Sequence, residues 1–161
     1  MRKYFAVGLT LILLCAIPAR AAEKKMNRVG VGYGIPYGGL GVNYEFSPVD
    51  CFSLDAGVGA TSGDPGWSVG TRVYFVTQEK TFRPRISVSY GTVALLESAT
   101  GKWKNDNGLS SGLGFQWVFG EKKEWSVDFD LLYLFYDMPA GYEEDWDSGN
   151  VKFTIGFGYH F

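Results

Sequence analysis

The residues with the clearest capacity for chemistry are one histidine and a set of charged side chains within alternating segments. His160 is the single histidine and lies one residue from the end. Hydrolytic and acyl-transfer sites need such an imidazole beside a nucleophile, with a third group to orient it. His160 instead belongs to Val151–Phe161 (V-K-F-T-I-G-F-G-Y-H-F), where odd positions are apolar and even positions are small or polar. This period of two predicts a β-strand with His160 on its polar face, filling an interior rather than catalysing.

Charged residues at polar positions of similar segments are the second candidate. They are four cations and four anions: Arg28, Arg72, Arg85 and Lys152, and Glu45, Asp55, Asp128 and Asp130. A charge buried in a narrow space is costly unless it is paired, so equal numbers favour an internal salt-bridge network. The alternative is a gated pathway for small ions along the same side chains.

An acidic segment precedes the last strand. Its residues are Asp137, Glu143, Glu144, Asp145 and Asp147, within the longest predicted loop, Tyr136–Gly149. Such carboxylates can share divalent cations, but their spacing matches no calcium loop, so we predict a solvated loop and keep cation binding as the alternative. Trp146 in this loop and Trp103 in the long loop Leu95–Asn107 are predicted as interfacial anchors or, alternatively, as partner contacts.

The first 22 residues have the pattern of a cleaved secretory signal. A basic Met1–Lys3 precedes the apolar run Ala6–Ile17, and Ala19-Arg20-Ala21 matches a small-x-small cleavage site. Cleavage after Ala21 or Ala22 leaves residues 23–161 as one domain with a formal charge of 12 − 17 = −5. This domain has no Lys/Arg cluster for nucleic acid.

Neither cysteine predicts a disulfide framework. Cys15 is lost with the signal, and Leu14 before it does not fit a lipoprotein pattern. Cys51 remains alone, which indicates a small residue near a strand end or, alternatively, a reactive thiol or an intermolecular disulfide.

Eight segments alternate and are predicted as antiparallel strands: Asn27–Ile35, Gly38–Phe46, Cys51–Ala60, Trp67–Phe75, Arg83–Ala94, Gly108–Phe119, Trp125–Phe135 and Val151–Phe161. No charged residue falls on the apolar face of any of them. A two-residue turn at Pro36–Tyr37 sets Arg28 opposite Glu45. A symmetric hairpin around Thr61–Gly66 sets Asp55 opposite Arg72.

Alternation alone does not tell which face lies outside, because a soluble lipocalin-type barrel turns its apolar face inward. The polar face here is mostly Gly, Ser and Thr, which suits the narrow interior of an eight-stranded barrel. Connections are short at one rim and longer at the other. Aromatics on the apolar face form two belts typical of membrane barrels. One belt has Phe46, Phe52, Phe75, Trp117, Phe119, Trp125, Tyr159 and Phe161, and the other has Tyr33, Trp67, Tyr133 and Phe153.

With these features the chain resembles the small eight-stranded outer-membrane proteins of Gram-negative bacteria, of the OmpX and OmpA-transmembrane-domain kind. Its ending F-G-Y-H-F is similar to the C-terminal signature recognised by the outer-membrane assembly machinery, which implies that role for Phe157, Tyr159 and Phe161. Enzymes on related barrels act at the external rim. The resemblance places His160 at the periplasmic rim, away from such chemistry.

The sequence therefore predicts an all-β, eight-stranded antiparallel up-and-down transmembrane β-barrel in the bacterial outer membrane, exported through a signal peptide. We expect a monomeric, non-enzymatic protein without cofactor or metal, with a structural or surface-interaction role through its extracellular loops. The expected partners are outer-membrane lipid, lipopolysaccharide and the assembly machinery. A small-solute or ion pore is the first alternative, and a lipid A-modifying enzyme is the second.

Overall fold

Strands that pair with their sequence neighbours close into a ring in the computed structural model, which describes residues 25–61, 64–98, 103–135, 142–144 and 150–161. The strands are β1 (Asn27–Gly34), β2 (Gly39–Val49), β3 (Phe52–Ala60), β4 (Pro65–Tyr74), β5 (Phe82–Ser98), β6 (Trp103–Phe119), β7 (Trp125–Phe135), β8 (Tyr142–Glu144) and β9 (Val151–His160). Strands β1–β7 and β9 form the antiparallel barrel. Pairing of β9 with both β7 and β1 completes the ring, so no barrel strand among those described has an open edge.

The apolar face of each strand lies outside the barrel. In β9 the even residues are buried and the odd residues exposed: Thr154 is 0% exposed and Phe153 is 50% exposed. The outer surface is therefore apolar and the interior polar, as the sequence predicts. This polarity excludes a lipocalin-type barrel, which buries apolar residues inside.

Two rims are defined by the termini. The terminus rim contains the start of β1 and the end of β9, where Asn27 and Phe161 exchange two backbone hydrogen bonds, at 2.9 and 3.2 Å. The loop rim contains the end of β1 and the start of β9. The hairpin β5–β6 rises beyond the loop rim.

Strands β5 and β6 are longer than predicted. The segment Leu95–Asn107 was expected to be a loop, but β5 continues to Ser98 and β6 begins at Trp103. Pairing extends to Glu97 opposite Trp103 past an irregularity at Thr92/Ala94, and β8 adds antiparallel to β5 from the other side. The charged composition of this segment concealed strands that pair above the barrel, where neither face has to be apolar.

The predicted register is confirmed for one hairpin and wrong for another. Arg28 pairs with Glu45, as predicted. Asp55 pairs with Gly70 rather than Arg72, because the β3–β4 connection closes tightly, with the Thr61 N–H donating to the Asp64 carbonyl at 3.3 Å. The register is shifted by two residues, so every side chain keeps its predicted face.

The β1–β2 connection differs most from prediction. Ile35 was expected to end an outward-facing strand, with Pro36–Tyr37 as an external turn. Instead Ile35–Tyr37 form a 3₁₀ turn in which all three residues are buried. Gly34 and Gly38 bracket the turn with φ of 119° and 65°, values that favour glycine. These two glycines let the chain bend into the barrel instead of away from it.

Several predicted features lie outside the described residues. They include the signal peptide (residues 1–22) and Asp137, Asp145, Asp147 and Trp146 of the acidic segment. The side chains of Trp103, Glu143 and Glu144 are not described either. Within the parts of the chain that the structure describes, no helix has the length and apolar character needed to cross a membrane.

Candidate functional site: the occupied lumen

Inward positions of β2, β3 and β4 build the first half of a charged cluster. Glu45 accepts from Arg72 Nη1 at 2.6 Å through Oε2, and from the Tyr74 hydroxyl at 2.6 Å through Oε1. Arg72 Nε also lies 3.4 Å from Asp55 Oδ1, so the predicted ion pair forms diagonally despite the shifted register. The Arg28 guanidinium lies 3.7 Å from Glu45 on the other side.

The second half of the cluster is centred on β7. Arg85 binds Asp130 through two parallel contacts, Nε–Oδ1 at 2.9 Å and Nη2–Oδ2 at 2.7 Å. Asp128 is shared: Arg85 Nη1 lies 3.3 Å from its Oδ1, and Arg28 Nη2 donates to its Oδ2. Asp128 also accepts from Gln116 Nε2 at 3.2 Å. The ion pairs described here thus connect six strands across the lumen. Of the predicted charges they include Arg28, Arg72, Arg85, Glu45, Asp55, Asp128 and Asp130.

Lys152 and Arg83 are two further buried cations. Lys152 is buried on β9, opposite Leu132 and nearer the loop rim than the cluster. Arg83, which we had not counted inside, is also buried. It donates to Gln116 Oε1 at 2.7 Å, and its guanidinium carbon lies 3.8 Å from the centre of the Tyr74 ring.

In the part of the chain that the structure describes, five buried cations thus face four buried anions, one cation more than the predicted balance of four and four. Arg83 lies two residues before Arg85 on the same strand, so its position parity already indicated an inward side chain. Arg83 is the first residue of the predicted strand Arg83–Ala94, where a side chain can also lie outside the barrel.

The inward turn fills the loop half of the lumen. The Tyr37 hydroxyl donates to Asp128 Oδ2 at 3.1 Å, and the Pro36 carbonyl accepts from Asn43 Nδ2 at 2.7 Å. Glycines surround the turn on five barrel strands: Gly32, Gly41, Gly57, Gly59, Gly66 and Gly156. A Cβ at Gly66 would overlap the backbone of Gly38, which follows the turn, and a Cβ at any of the other five would overlap atoms of Pro36 or Tyr37. The sequence showed these glycines as a small polar face; the structure shows that they make room for the turn.

An apolar cluster lies near the loop rim. Ile35 from the turn packs with Val93 of β5 and with Leu132 and Leu134 of β7, all buried. Above it, Asn105 of β6 reaches over to the β3–β4 connection and donates to the Asp64 carbonyl at 3.0 Å. The described lumen is therefore occupied by ion pairs toward the terminus rim and by the inward turn and apolar side chains toward the loop rim.

His160 lies at the terminus rim, as predicted, but it has a serine neighbour that we did not anticipate. His160 Nε2 lies 3.1 Å from Ser126 Oγ, which also accepts from Arg28 Nε at 2.9 Å. A serine–histidine pair is the core of many nucleophilic sites. Ser126, however, is 0% exposed, and the Arg28 side chain covers it, so no substrate carbonyl can reach its hydroxyl. This contact closes the lumen floor.

Aromatic side chains cluster on the outer surface near both rims. At the terminus rim, Trp125 stacks on Phe157 and packs against Tyr159, with ring centroids 5.3 and 4.8 Å apart. Near the loop rim, Trp67 contacts Tyr90 edge-on with centroids 6.0 Å apart. Phe157, Tyr159 and Phe161 all point outward and are exposed.

Metal ligands and the thiol of Cys51 are the remaining candidates for chemistry. Among them, no group of three or more His, Cys, Asp or Glu side chains could hold a metal ion. Cys51 is half-buried beside the turn between β2 and β3, and it takes part in no disulfide among these residues.

Similarity to known proteins is found in the fold. No protein-family model matches the chain, and no curated protein sequence does. Among solved structures, the crystal structure of the N-terminal β-barrel domain of Pseudomonas aeruginosa OprF superposes with a TM-score of 0.56 at 15% identity, covering 85% of this chain and 98% of that domain. The chain therefore has the fold of an eight-stranded outer-membrane barrel domain.

Proposed function

We propose that this protein is a non-enzymatic barrel of the Gram-negative outer membrane that acts through the surface it presents at the loop rim. The observation that carries the proposal is the occupied lumen. Ion pairs, an inward turn and an apolar cluster fill its described part, which argues against transport through the barrel. With the described lumen filled and the Ser126 hydroxyl buried, the exposed surface is the part of the described barrel best placed to contact a partner.

The outer surface supports membrane residence. Large apolar side chains such as Leu40, Leu113 and Phe75 are 58–68% exposed, and water would disfavour a band of this kind around a whole barrel. A closed barrel pairs its backbone groups internally, which is the condition for a sheet to cross a bilayer. The structural similarity to an outer-membrane barrel domain supports the same location.

The hairpin β5–β6 supports a surface role. Both strands contain 17 residues, whereas a tilted membrane-spanning strand needs about 9–11. The excess of about six residues at ~3.3 Å each carries the hairpin roughly 20 Å beyond the spanning region. With β8 it forms a small three-stranded sheet that projects from the loop rim. Lipopolysaccharide, which surrounds this height of an outer-membrane protein, is the partner that we propose.

A pore is the second candidate, because the lumen is polar and its described residues include five buried Lys or Arg side chains against four buried carboxylates. Conductance of the purified protein in planar bilayers separates the two. We expect no stable unitary openings, with an open porin recorded as the positive control. Reproducible openings by the folded protein would overturn the closed-lumen proposal and favour a weakly anion-selective pore.

The surface role has its own test. Replacing residues 95–105 with a two-residue turn removes the projecting hairpin but leaves the ring of strands. The shortened protein should fold, as judged by its heat-dependent gel shift, and should retain less lipopolysaccharide on purification than the parent. Equal retention would contradict the proposed partner. A change in the mass of lipid A on expression would instead indicate an enzyme, most clearly if His160→Ala abolished the change.

A further inference from the structure

The barrel closes where its first strand, β1, pairs with its last strand, β9, and we call this pairing the closing seam. Two side chains cross the seam on the inner side of the barrel. Closure depends on the ladder between the first strand, β1, and the last, β9. This ladder has six register pairs, from Arg28 opposite His160 to Tyr33 opposite Ile155, with the Asn27–Phe161 backbone pair flanking it. With the Asn27–Phe161 pair included, the β1–β9 ladder has seven pairs. The β4–β5 ladder also has seven, and the other ladders of the described ring are longer.

Near the middle of this seam, β9 has no side chains on its inner face. Its inward positions there are Gly156 and Gly158. A Cβ at Gly158 would overlap the guanidinium group of Arg28, and a Cβ at Gly156 would overlap the ring and hydroxyl of Tyr37. The space above β9 is therefore occupied by side chains from the β1 end of the seam.

Both side chains continue across β9 to the next strand, β7. Arg28 donates to Ser126 and to Asp128, and Tyr37 donates to Asp128 at 3.1 Å. All of these groups are buried. Side chains of β1 and of the turn that follows it are thus hydrogen-bonded to β7 across the lumen side of β9. In the described ring, β1 and β7 are not paired with each other.

We propose that Arg28, Tyr37 and Asp128 form an internal clasp that locks the closing seam of the barrel. Separation of β1 from β9 would pull both donors away from Asp128 and leave a buried carboxylate and a buried guanidinium without these partners. Such a loss is expensive, so the clasp raises the barrier to seam opening. Since its two sides meet only when β1 and β9 are adjacent, the clasp forms at or after closure and acts mainly on the rate of opening.

Tyr37→Phe tests the clasp with the smallest change, because it keeps the ring over Gly156 and removes only the hydroxyl. The rate of unfolding of the protein in lipid vesicles at high urea is followed by loss of the folded gel band. A buried hydrogen bond to a carboxylate predicts unfolding about tenfold to hundredfold faster. Tyr90→Phe, on the outer face of β5, is the matched control and should leave the rate unchanged.

A crosslink distinguishes a clasp on the seam from ordinary interior packing. In a Cys51→Ser background, Val31→Cys with Phe157→Cys joins β1 to β9 from the outside, where the two residues are register partners. When this cysteine pair is oxidised to a disulfide, Tyr37→Phe should unfold at the same rate as the crosslinked protein that keeps Tyr37. Leu113→Cys with Leu131→Cys joins β6 to β7 and should leave the difference intact.

Two results would overturn the proposal: Tyr37→Phe unfolding no faster than Tyr90→Phe, or a rate difference that persists when the seam is crosslinked. Arg28→Lys is the second variant, with the same expectations. It keeps the charge but replaces the guanidinium, which reaches Ser126 through Nε and Asp128 through Nη2, by a single ammonium nitrogen. This variant is used if Tyr37→Phe does not fold.

Discussion

Asp128 contacts four lumen side chains, those of Arg28, Tyr37, Arg85 and Gln116. Asp128→Asn is the substitution that isolates its charge. The side chain keeps its size and can still accept a hydrogen bond from Tyr37 or Gln116. What it loses is the negative charge shared by Arg28 and Arg85. The effect on the free energy of unfolding therefore reports the value of ion pairing at the centre of the lumen.

The two arginines are not affected equally. Arg85 keeps its two contacts with Asp130, at 2.7 and 2.9 Å, and remains paired. Arg28 keeps its neutral hydrogen bond to Ser126, but the carboxylate left to it is Glu45, 3.7 Å away, which is already paired with Arg72. Removing one partner of a buried ion pair costs about 3–5 kcal/mol, and with one of two arginines still paired we expect the lower end, about 3 kcal/mol.

Equilibrium unfolding by urea in lipid vesicles measures this free energy, followed by tryptophan fluorescence and by the gel shift. Glu121→Gln, in the exposed turn between β6 and β7, is the matched control for loss of one negative charge. A double-mutant cycle with Arg28→Gln should give a coupling energy of about 2 kcal/mol. A loss below about 1 kcal/mol for Asp128→Asn, or no coupling to Arg28, would refute the view that these ion pairs hold the interior together.

Three further outcomes are expected. Gly156→Ala should destabilise the barrel by about 1–3 kcal/mol in the same urea assay, because the new methyl group overlaps Tyr37; an unchanged or higher stability would mean that the inward turn is not packed there. Asp55→Arg should destabilise the barrel, and adding Arg72→Asp should restore part of the loss; no restoration would argue against the diagonal ion pair. Deletion of Phe161 should reduce the folded, heat-modifiable form in cells, whereas normal amounts would count against an assembly role for this residue.

The barrel could be predicted from sequence because one physical constraint acts on every strand. A strand between lipid and a polar interior must alternate, and the run from Val151 to Phe161 shows this without exception. Position parity then placed Arg28, Glu45 and Asp128 inside without any knowledge of register. A register error of two residues, as at Asp55, does not change the face on which a side chain lies.

The features that could not be predicted are those that alternation does not determine. Whether the Ile35–Tyr37 turn bends outward or inward depends on space inside the barrel. That space comes from glycines on several strands that meet only after folding. The contact between His160 and Ser126 likewise depends on the neighbours of β9, since 34 residues separate the two in sequence. Outside the spanning region the apolar face is no longer required, so the extension of β5 and β6 left no periodic signal.

The central claim, an apolar surface in lipid around an occupied lumen, is tested most directly by a spin-label scan of β9 in bilayers of the Cys51→Ser protein. Labels at the outward positions, Val151 to Phe161 in steps of two, should be accessible to oxygen dissolved in the bilayer. A label at the inward Thr154 should be inaccessible both to oxygen and to a water-soluble nickel complex. Free access of the nickel complex to Thr154 would show a water-filled lumen, and loss of the outward period of two would show that this face does not contact lipid.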